Sequence, residues 1–98
     1  MEFEWDENKR KSNIDKHGID FQDALHVFYD MKRIEYADDR KDYGELRMHV
    51  IGVVNSEIII LVVYTDRDSS TRIISARRAN KKEKRKYKWQ SLGTPWKK

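Results

Sequence analysis

The chain has 98 residues, of which 38% are hydrophobic and 39% charged, and its formal net charge is +4. This length suits one domain, residues 1–98, and the dense apolar block 58–64 excludes a disordered chain. The absence of cysteine excludes a disulfide framework and a zinc-thiolate site, and no apolar run is long enough to span a bilayer.

The amino-terminal part predicts one strand followed by two helices. Residues 2–5 alternate as a strand does, and Asp6 can cap a helix that ends at Gly18 and has Ile14 as its apolar anchor. Asp20 can cap the second helix, whose apolar face contains Phe21, Ala24, Leu25, Phe28 and Tyr29. The opening MEFEWDENKR has no apolar stretch typical of a signal peptide, so we expect a cytoplasmic protein without a membrane segment.

The rest of the chain predicts an antiparallel sheet and a basic helix. Alternation and turn residues place strands at 33–37, 46–54, 58–65 and 71–78. The strand at 58–63 is apolar at every position, so it should be central, with the second helix on one face and the carboxy-terminal segment or another chain on the other. Asn80 and Glu83 have capping-box spacing, which predicts a charged helix to about Leu92. The predicted fold class is α+β.

The positive charge is concentrated at the carboxyl terminus. Residues 1–79 hold 13 Lys and Arg against 16 Asp and Glu, which is −3, whereas residues 80–98 hold 8 against 1, which is +7. Such a segment attracts phosphates and makes nucleic acid the first partner to consider. An equally simple alternative is a solvated helix that keeps the protein in solution.

Arginines near the ends of the predicted strands are the first candidates for chemistry. The sequence has no Walker loop, dinucleotide fingerprint, paired metal-binding histidines or nucleophile elbow, so we expect no metal and no cofactor. The arginines are Arg67, Arg72, Arg77 and Arg78. The guanidinium fork suits binding of phosphate, although each arginine could instead pair with Glu45 or Glu83.

Strand alternation decides which of these arginines act together. In a regular strand, Ile73, Ser75 and Arg77 share one face. Arg78 then lies on the other face, together with Arg72, Ile74 and Ala76. Arg77 and Arg78 could serve one site only if the strand ends or bulges there.

Three histidines could transfer protons. His17 follows Lys16 at the end of the first helix, where it could act as a general acid or base. The position favours the simpler role, in which a cation next to a glycine cap stabilises the helix end. His26 on the second helix and His49 in a strand are predicted to be structural.

Five motifs in a fixed order resemble one family. They are WDxxK, KHGxxF, YGExR, VYTxR and RIISARRA, and with their surroundings they cover about residues 3–87. In this order they resemble BrnT, the toxin family of the BrnT and BrnA toxin-antitoxin systems. Residues 88–98 form a tail outside the resemblance.

The resemblance implies a RelE-like antiparallel sheet with two helices from the amino-terminal region packed on it and a basic carboxy-terminal helix. It also implies a ribonuclease without metal or cofactor, inhibited by a BrnA-like ribbon-helix-helix antitoxin, with operator DNA bound only through the antitoxin complex. The family's basic positions correspond to Lys9, Lys16, His17, Arg47, Arg67, Arg77 and Arg78, with Glu45, Glu83 and Tyr87 as polar companions.

An RNA 2′-hydroxyl that attacks the adjacent phosphorus needs a base, a charge stabiliser and an acid. The expected catalytic residues are Arg67, Arg77 and Arg78 on the phosphate, His17 or Lys16 for proton transfer and Tyr87 as a stacking or acid group. The expected RNA-binding residues are Lys9, Arg47, Lys81, Lys82, Lys84 and Arg85. The alternative function is a module that binds nucleic acid or protein without catalysis.

Overall fold

The computed structural model describes residues 2–38 and 44–91. The elements in chain order are strand β1 (Glu2–Trp5), helix α1 (Glu7–His17), helix α2 (Phe21–Ala24) with a 3-10 extension (Leu25–Tyr29), strands β2 (Ile34–Asp38), β3 (Arg47–Val54), β4 (Ile58–Arg67) and β5 (Ser70–Arg78), and helix α3 (Lys81–Ser91). The predicted α+β class is confirmed. The charged stretch 38–45 has the composition of a loop, and its residues 39–43 lie outside the described residues, as does the tail from Leu92.

The five strands form one sheet in the order β1-β5-β4-β3-β2. Strands β2 to β5 pair antiparallel, as predicted, and β1 adds to β5 in parallel. The apolar strand β4 is central, and both of its faces are covered. Phe21, Ala24 and Val27 pack on one face, and Tyr87 of α3 packs on Ile51 and its neighbours on the other, which is called the α3 face below.

Two predicted anchors of the amino-terminal helices were wrong. Ile14 is 37% exposed, whereas Asn13 is buried and its amide joins α1 to β5 by hydrogen bonds with the backbone N–H and C=O of Ala76. The second helix tightens into a 3-10 turn after Ala24, so Val27 is buried and Tyr29 is 66% exposed. A 3-10 helix has about three residues per turn, which aligns every third side chain rather than an α-helical face.

Strand β5 contains a bulge that changes its alternation. Val63 pairs with Ser75 while Tyr64 pairs with Ile73, so Ile74 is the extra residue. The prediction that Ile73 and Arg77 share a face was therefore wrong, because the bulge shifts the phase of the strand by one residue. The predicted divergence of Arg77 and Arg78 is confirmed, since these two residues follow the bulge.

Candidate active site

A buried histidine and aspartate pair lies on the α3 face near the sheet edge. His49 Nε2 lies 3.0 Å from Asp38 Oδ2, and the two side chains are only 8% and 3% exposed. Because a carboxylate can only accept, Nε2 is the donor of this pair, and in a neutral imidazole Nδ1 is then the nitrogen that can accept a proton. The Tyr36 hydroxyl lies 3.4 Å from Nδ1. Strand register produces this arrangement, because Tyr36 is directly opposite His49 and Asp38 follows two residues later on the same face.

This pair opens into a cleft of about 330 Å³ between β2, β3, β5 and α3. This volume is near the lower end of the ~300–1,000 Å³ range of ligand clefts, so the cleft suits one nucleotide unit rather than a folded RNA. The lining residues are Tyr36, Ala37, Asp38, His49, Arg77, Asn80, Lys82, Glu83 and Lys86. Three of them are cations and two are carboxylates, so with a neutral His49 the cleft is positive and attracts a phosphate.

Arg77 is held in this cleft by Glu83. Its two terminal nitrogens each lie 2.9 Å from a Glu83 oxygen, which is the bidentate geometry that fixes a guanidinium. Glu83 also accepts from the backbone N–H of Asn80, and Asn80 Oδ1 accepts from the N–H of Glu83 in return, which confirms the predicted capping box. Burial alone would raise the pKa of Glu83, but the hydrogen bonds from Arg77 and Asn80 outweigh it and lower that pKa below its ordinary value.

The lowered pKa of Glu83 predicts a dependence of stability on pH. A carboxylate whose pKa is depressed in the folded state contributes stability above its unfolded pKa and loses it as the pH falls through the folded one. We expect the free energy of unfolding, measured with urea, to decline from about pH 5 to about pH 3. This decline should be smaller in Glu83→Gln than in the unchanged protein. The exposed Glu57→Gln is the control, and an equal reduction there would contradict the assignment to Glu83.

Tyr36 provides an aromatic surface beside the histidine. Its ring meets the His49 ring edge-on at 5.2 Å between centroids, and Lys86 Nζ lies 4.9 Å from the centre of the Tyr36 ring. A cation over an aromatic face is attracted by the quadrupole of the ring. Tyr36 is half-buried. A base or a ribose that enters the cleft therefore meets an aromatic ring next to a cation.

Tyr87 does not line the cleft. The hydroxyl donates a hydrogen bond of 2.6 Å to Asp30 Oδ2, which also accepts from the backbone N–H of Val53. Burial and the bond to Asp30 raise the pKa of Tyr87 above its ordinary value. The opposite change occurs in Asp30, where burial would raise the pKa but the hydrogen bonds from Tyr87 and Val53 lower it. These contacts hold α3 against the sheet.

A second basic cluster lies next to the His49 and Asp38 pair, where β3 begins and β4 ends. Glu45 binds Arg67 at 3.1 Å and Arg47 at 3.8 Å, so Arg67 has a carboxylate partner, as Arg77 has in Glu83. The register places Arg47 and Arg67 on the same face as His49. The sheet thus presents guanidinium groups on both sides of the histidine.

The remaining predicted residues are spread over other surfaces. Arg78 and His17 line a separate hollow on the side of α1, and Lys9 and Lys16 are exposed on α1. The basic residues of α3 lie on different sides of the helix. Lys82 and Lys86 line the cleft, whereas Lys84 and Lys88 line a hollow on the opposite side. Lys81 and Arg85 are exposed. The structure therefore separates Arg77 from Arg78 and His17.

The residues at the centre of this candidate site are not among the predicted catalytic residues. His49 was assigned a structural role, and Tyr36, Asp38 and Lys86 were not singled out. The only signal was alternation, which places Tyr36 and Asp38 on one face of β2. Their approach to His49 depends on the pairing of β2 with β3, which alternation within one strand does not reveal.

Two features are absent from residues 2–38 and 44–91. In these ranges no three histidine, aspartate or glutamate side chains are grouped so that they could hold a metal ion. None of the helices there is long and apolar enough to cross a membrane.

Comparisons with known proteins agree with this architecture. The sequence model of the BrnT toxin family, described as the ribonuclease toxin BrnT of a type II toxin-antitoxin system, matches residues 5–83. The crystal structure of the Brucella abortus ribonuclease toxin BrnT is similar over 83% of this chain and 99% of that chain, with 35% sequence identity and a TM-score of 0.68. A search of curated proteins found no match. The resemblance of the motifs is thereby confirmed, and the chain belongs to the BrnT family of ribonuclease toxins of type II toxin-antitoxin systems.

Proposed function

We propose that this toxin is a metal-independent endoribonuclease whose catalytic centre is the His49 and Asp38 pair. The observation that carries the proposal is a buried imidazole, oriented by a carboxylate, at the wall of a cationic cleft. An oriented imidazole is the general base that proton transfer from a ribose hydroxyl requires. Endonucleolytic cleavage by such a centre would remove intact messages and so inhibit translation and growth.

The chemistry begins with attack of the RNA 2′-hydroxyl oxygen on the adjacent phosphorus. His49 Nδ1 takes the proton of this hydroxyl, and the Asp38 carboxylate stabilises the imidazolium that forms. Arg77 and Lys82 offset the charge that develops on the phosphate oxygens. The bond from phosphorus to the 5′ oxygen breaks, and that oxygen takes a proton from the Lys86 ammonium. The products are a 2′,3′-cyclic phosphate and a 5′-hydroxyl, and solvent then restores both protonation states.

In this proposal the cations outside the cleft bind the RNA strand beyond the scissile bond. Arg47 and Arg67 hold phosphates of the strand on either side of the scissile bond, because they share the face of His49. Lys9, Lys16, Lys81 and Arg85 lie on exposed surfaces and add attraction without sequence preference. Tyr87 acts as a positioning residue, since its bond to Asp30 places α3 and its lysines over the cleft. His17 and Arg78 are assigned no part in the chemistry.

A cleavage assay with chelator tests the proposal. Purified protein incubated with single-stranded RNA and EDTA should produce fragments that end in a 2′,3′-cyclic phosphate. Mass spectrometry of the fragments distinguishes this end from a linear phosphate. Activity that disappears with EDTA and returns with magnesium would contradict the mechanism. Binding of RNA without any cleavage would support the alternative of a non-catalytic binding module.

The partner that we propose is a BrnA-like ribbon-helix-helix antitoxin, which would bind operator DNA for the complex. Tyr87 covers Ile34, Ile51 and Leu61, while Val53 and Val63 stay only half-buried on the same face as the cleft. A protein that covers these residues together with the cleft would stabilise the toxin and exclude RNA through one interface. The melting temperature and the cleavage rate with and without the antitoxin test this, and tight binding that changes neither would contradict it.

A further inference from the structure

Two adjacent hollows lie at the end of the sheet where β4 begins and β5 ends. One, of about 250 Å³, is on the α3 side, and the other, of about 350 Å³, is on the side of α1. Arg78 and Ile58 line both, so the hollows together form one surface that we call the end groove. The end groove shares no lining residue with the cleft of His49.

The floor of the end groove is aliphatic. Val54 and Ile60 are buried beneath it, and Ile58 and Ile59 are half-buried at its surface. None of these four floor residues is aromatic, and among the described residues that line the end groove the one ring is the imidazole of the exposed His17. Proteins that hold single-stranded nucleic acid stack its bases on aromatic rings, so this floor suits aliphatic side chains of a protein better than bases.

The rim of the end groove is positively charged. Lys84 and Lys88 are one helical turn apart on α3, and Arg78 at the end of β5 stands between the two hollows. Lysines four residues apart on a helix present their ammonium groups about one turn, ~5.4 Å, from each other. The two acidic lining residues are Asp23 and Glu57, so the cations are in excess even without His17.

We propose that the end groove binds a segment of a partner protein in which acidic and aliphatic residues alternate. Its carboxylates would pair with Arg78, Lys84 and Lys88, and its aliphatic side chains would cover Ile58 and Ile59. Apolar contact with the floor provides the affinity, while the charged rim favours an acidic segment over neutral or basic ones. This inference goes beyond the proposed function, because it assigns Arg78 and two lysines of α3 to protein recognition at a surface outside the catalytic cleft.

A labelled synthetic peptide tests the inference on the full chain. The probe has about eight residues, with leucine alternating with aspartate or glutamate, and spans ~26 Å when extended. Binding is measured by fluorescence polarisation, and its location by shifts of backbone amide resonances. We expect shifts at Ile58, Arg78 and Lys84, and weak shifts at His49 and Tyr36.

Two matched double variants of α3 distinguish peptide binding by the end groove from attraction of the peptide by net charge. Lys84→Glu with Lys88→Glu should weaken peptide binding by at least ~10-fold, because two rim cations become repulsive. Lys81→Glu with Arg85→Glu makes the same change of charge on the same helix at exposed positions outside the end groove, and should weaken binding by no more than ~2-fold. All four side chains are exposed, so circular dichroism should show both variants folded.

Three results would overturn the inference. The first is an equal loss of affinity in both double variants, which would indicate attraction by net charge alone. The second is unchanged affinity for a control peptide in which serine replaces leucine, because the aliphatic floor would then have no role. The third is that single-stranded RNA displaces the peptide and shifts the same amides, which would make the end groove a path for RNA.

Discussion

Replacing His49 with glutamine should lower the rate constant of RNA cleavage by about 10²–10⁴-fold, the range expected for loss of a general base. Glutamine can still donate a hydrogen bond to Asp38, so the buried carboxylate keeps a partner and the fold should persist. The amide cannot take the proton of the 2′-hydroxyl, which is the physical reason for the loss. Single-turnover cleavage of a short RNA under saturating protein measures the chemical step without a contribution from binding.

The matched control for this variant is His26→Gln, because His26 is exposed on the 3-10 turn and outside the cleft. We expect it to cleave at the rate of the unchanged protein. RNA affinity should be similar in all three proteins, since the cations of the cleft are unchanged. If His49→Gln cleaves normally while His17→Gln is inactive, the chemistry does not take place at the His49 cleft, and the proposed mechanism is wrong.

Replacing Gly52 with alanine should destabilise the protein by ~1–3 kcal/mol, the cost of forcing extra volume into a packed core. A Cβ atom at this position would lie 2.6 Å from Val27 Cγ2 and 3.2 Å from Asp30 Oδ2. Val27 is fully buried and cannot move into solvent. Asp30 also holds Tyr87, so the added methyl group disturbs the contact that places α3 over the cleft. The free energy of unfolding from urea titration measures the loss.

A double-mutant cycle identifies the cause of this loss. Val27→Ala removes the methyl group that the new Cβ would meet, so Gly52→Ala should cost less in the Val27→Ala background than in the unchanged protein. Val27→Ala alone also destabilises, because it leaves a cavity. If Gly52→Ala costs the same in both backgrounds, the contact with Val27 is not the reason for the glycine.

Local signals in the sequence were enough to predict most elements. Asp6 accepts hydrogen bonds from the N–H groups of Asn8 and Lys9, and Gly18 ends α1 in the left-handed conformation, as their residue types indicate. At the start of α3, the side chains of Asn80 and Glu83 each accept a hydrogen bond from the backbone N–H of the other residue, as the capping-box spacing predicts. Capping depends on residues within one turn, so no tertiary information is needed to recognise it. The motif order was likewise sufficient to identify the family.

Periodicity was less reliable where tertiary packing changed the geometry of the chain. An α-helical face was predicted through Tyr29, but the chain forms a 3-10 turn that buries Val27 against the sheet. The bulge at Ile74 similarly reversed the predicted face of Ile73. Both are departures from a regular repeat, and a pattern that assumes the repeat cannot show them.

By itself the sequence determined both ends of α1, the starts of α2 and α3, the central position of β4, the basic carboxy-terminal helix and the family. Only the tertiary structure decided which charged residues meet. It joined Asp38 to His49 across paired strands and Arg77 to Glu83 across a strand and a helix. The physical reason is that proton transfer and phosphate binding depend on distances of a few ångströms between side chains that are far apart in the chain. Strand pairing and helix packing set those distances.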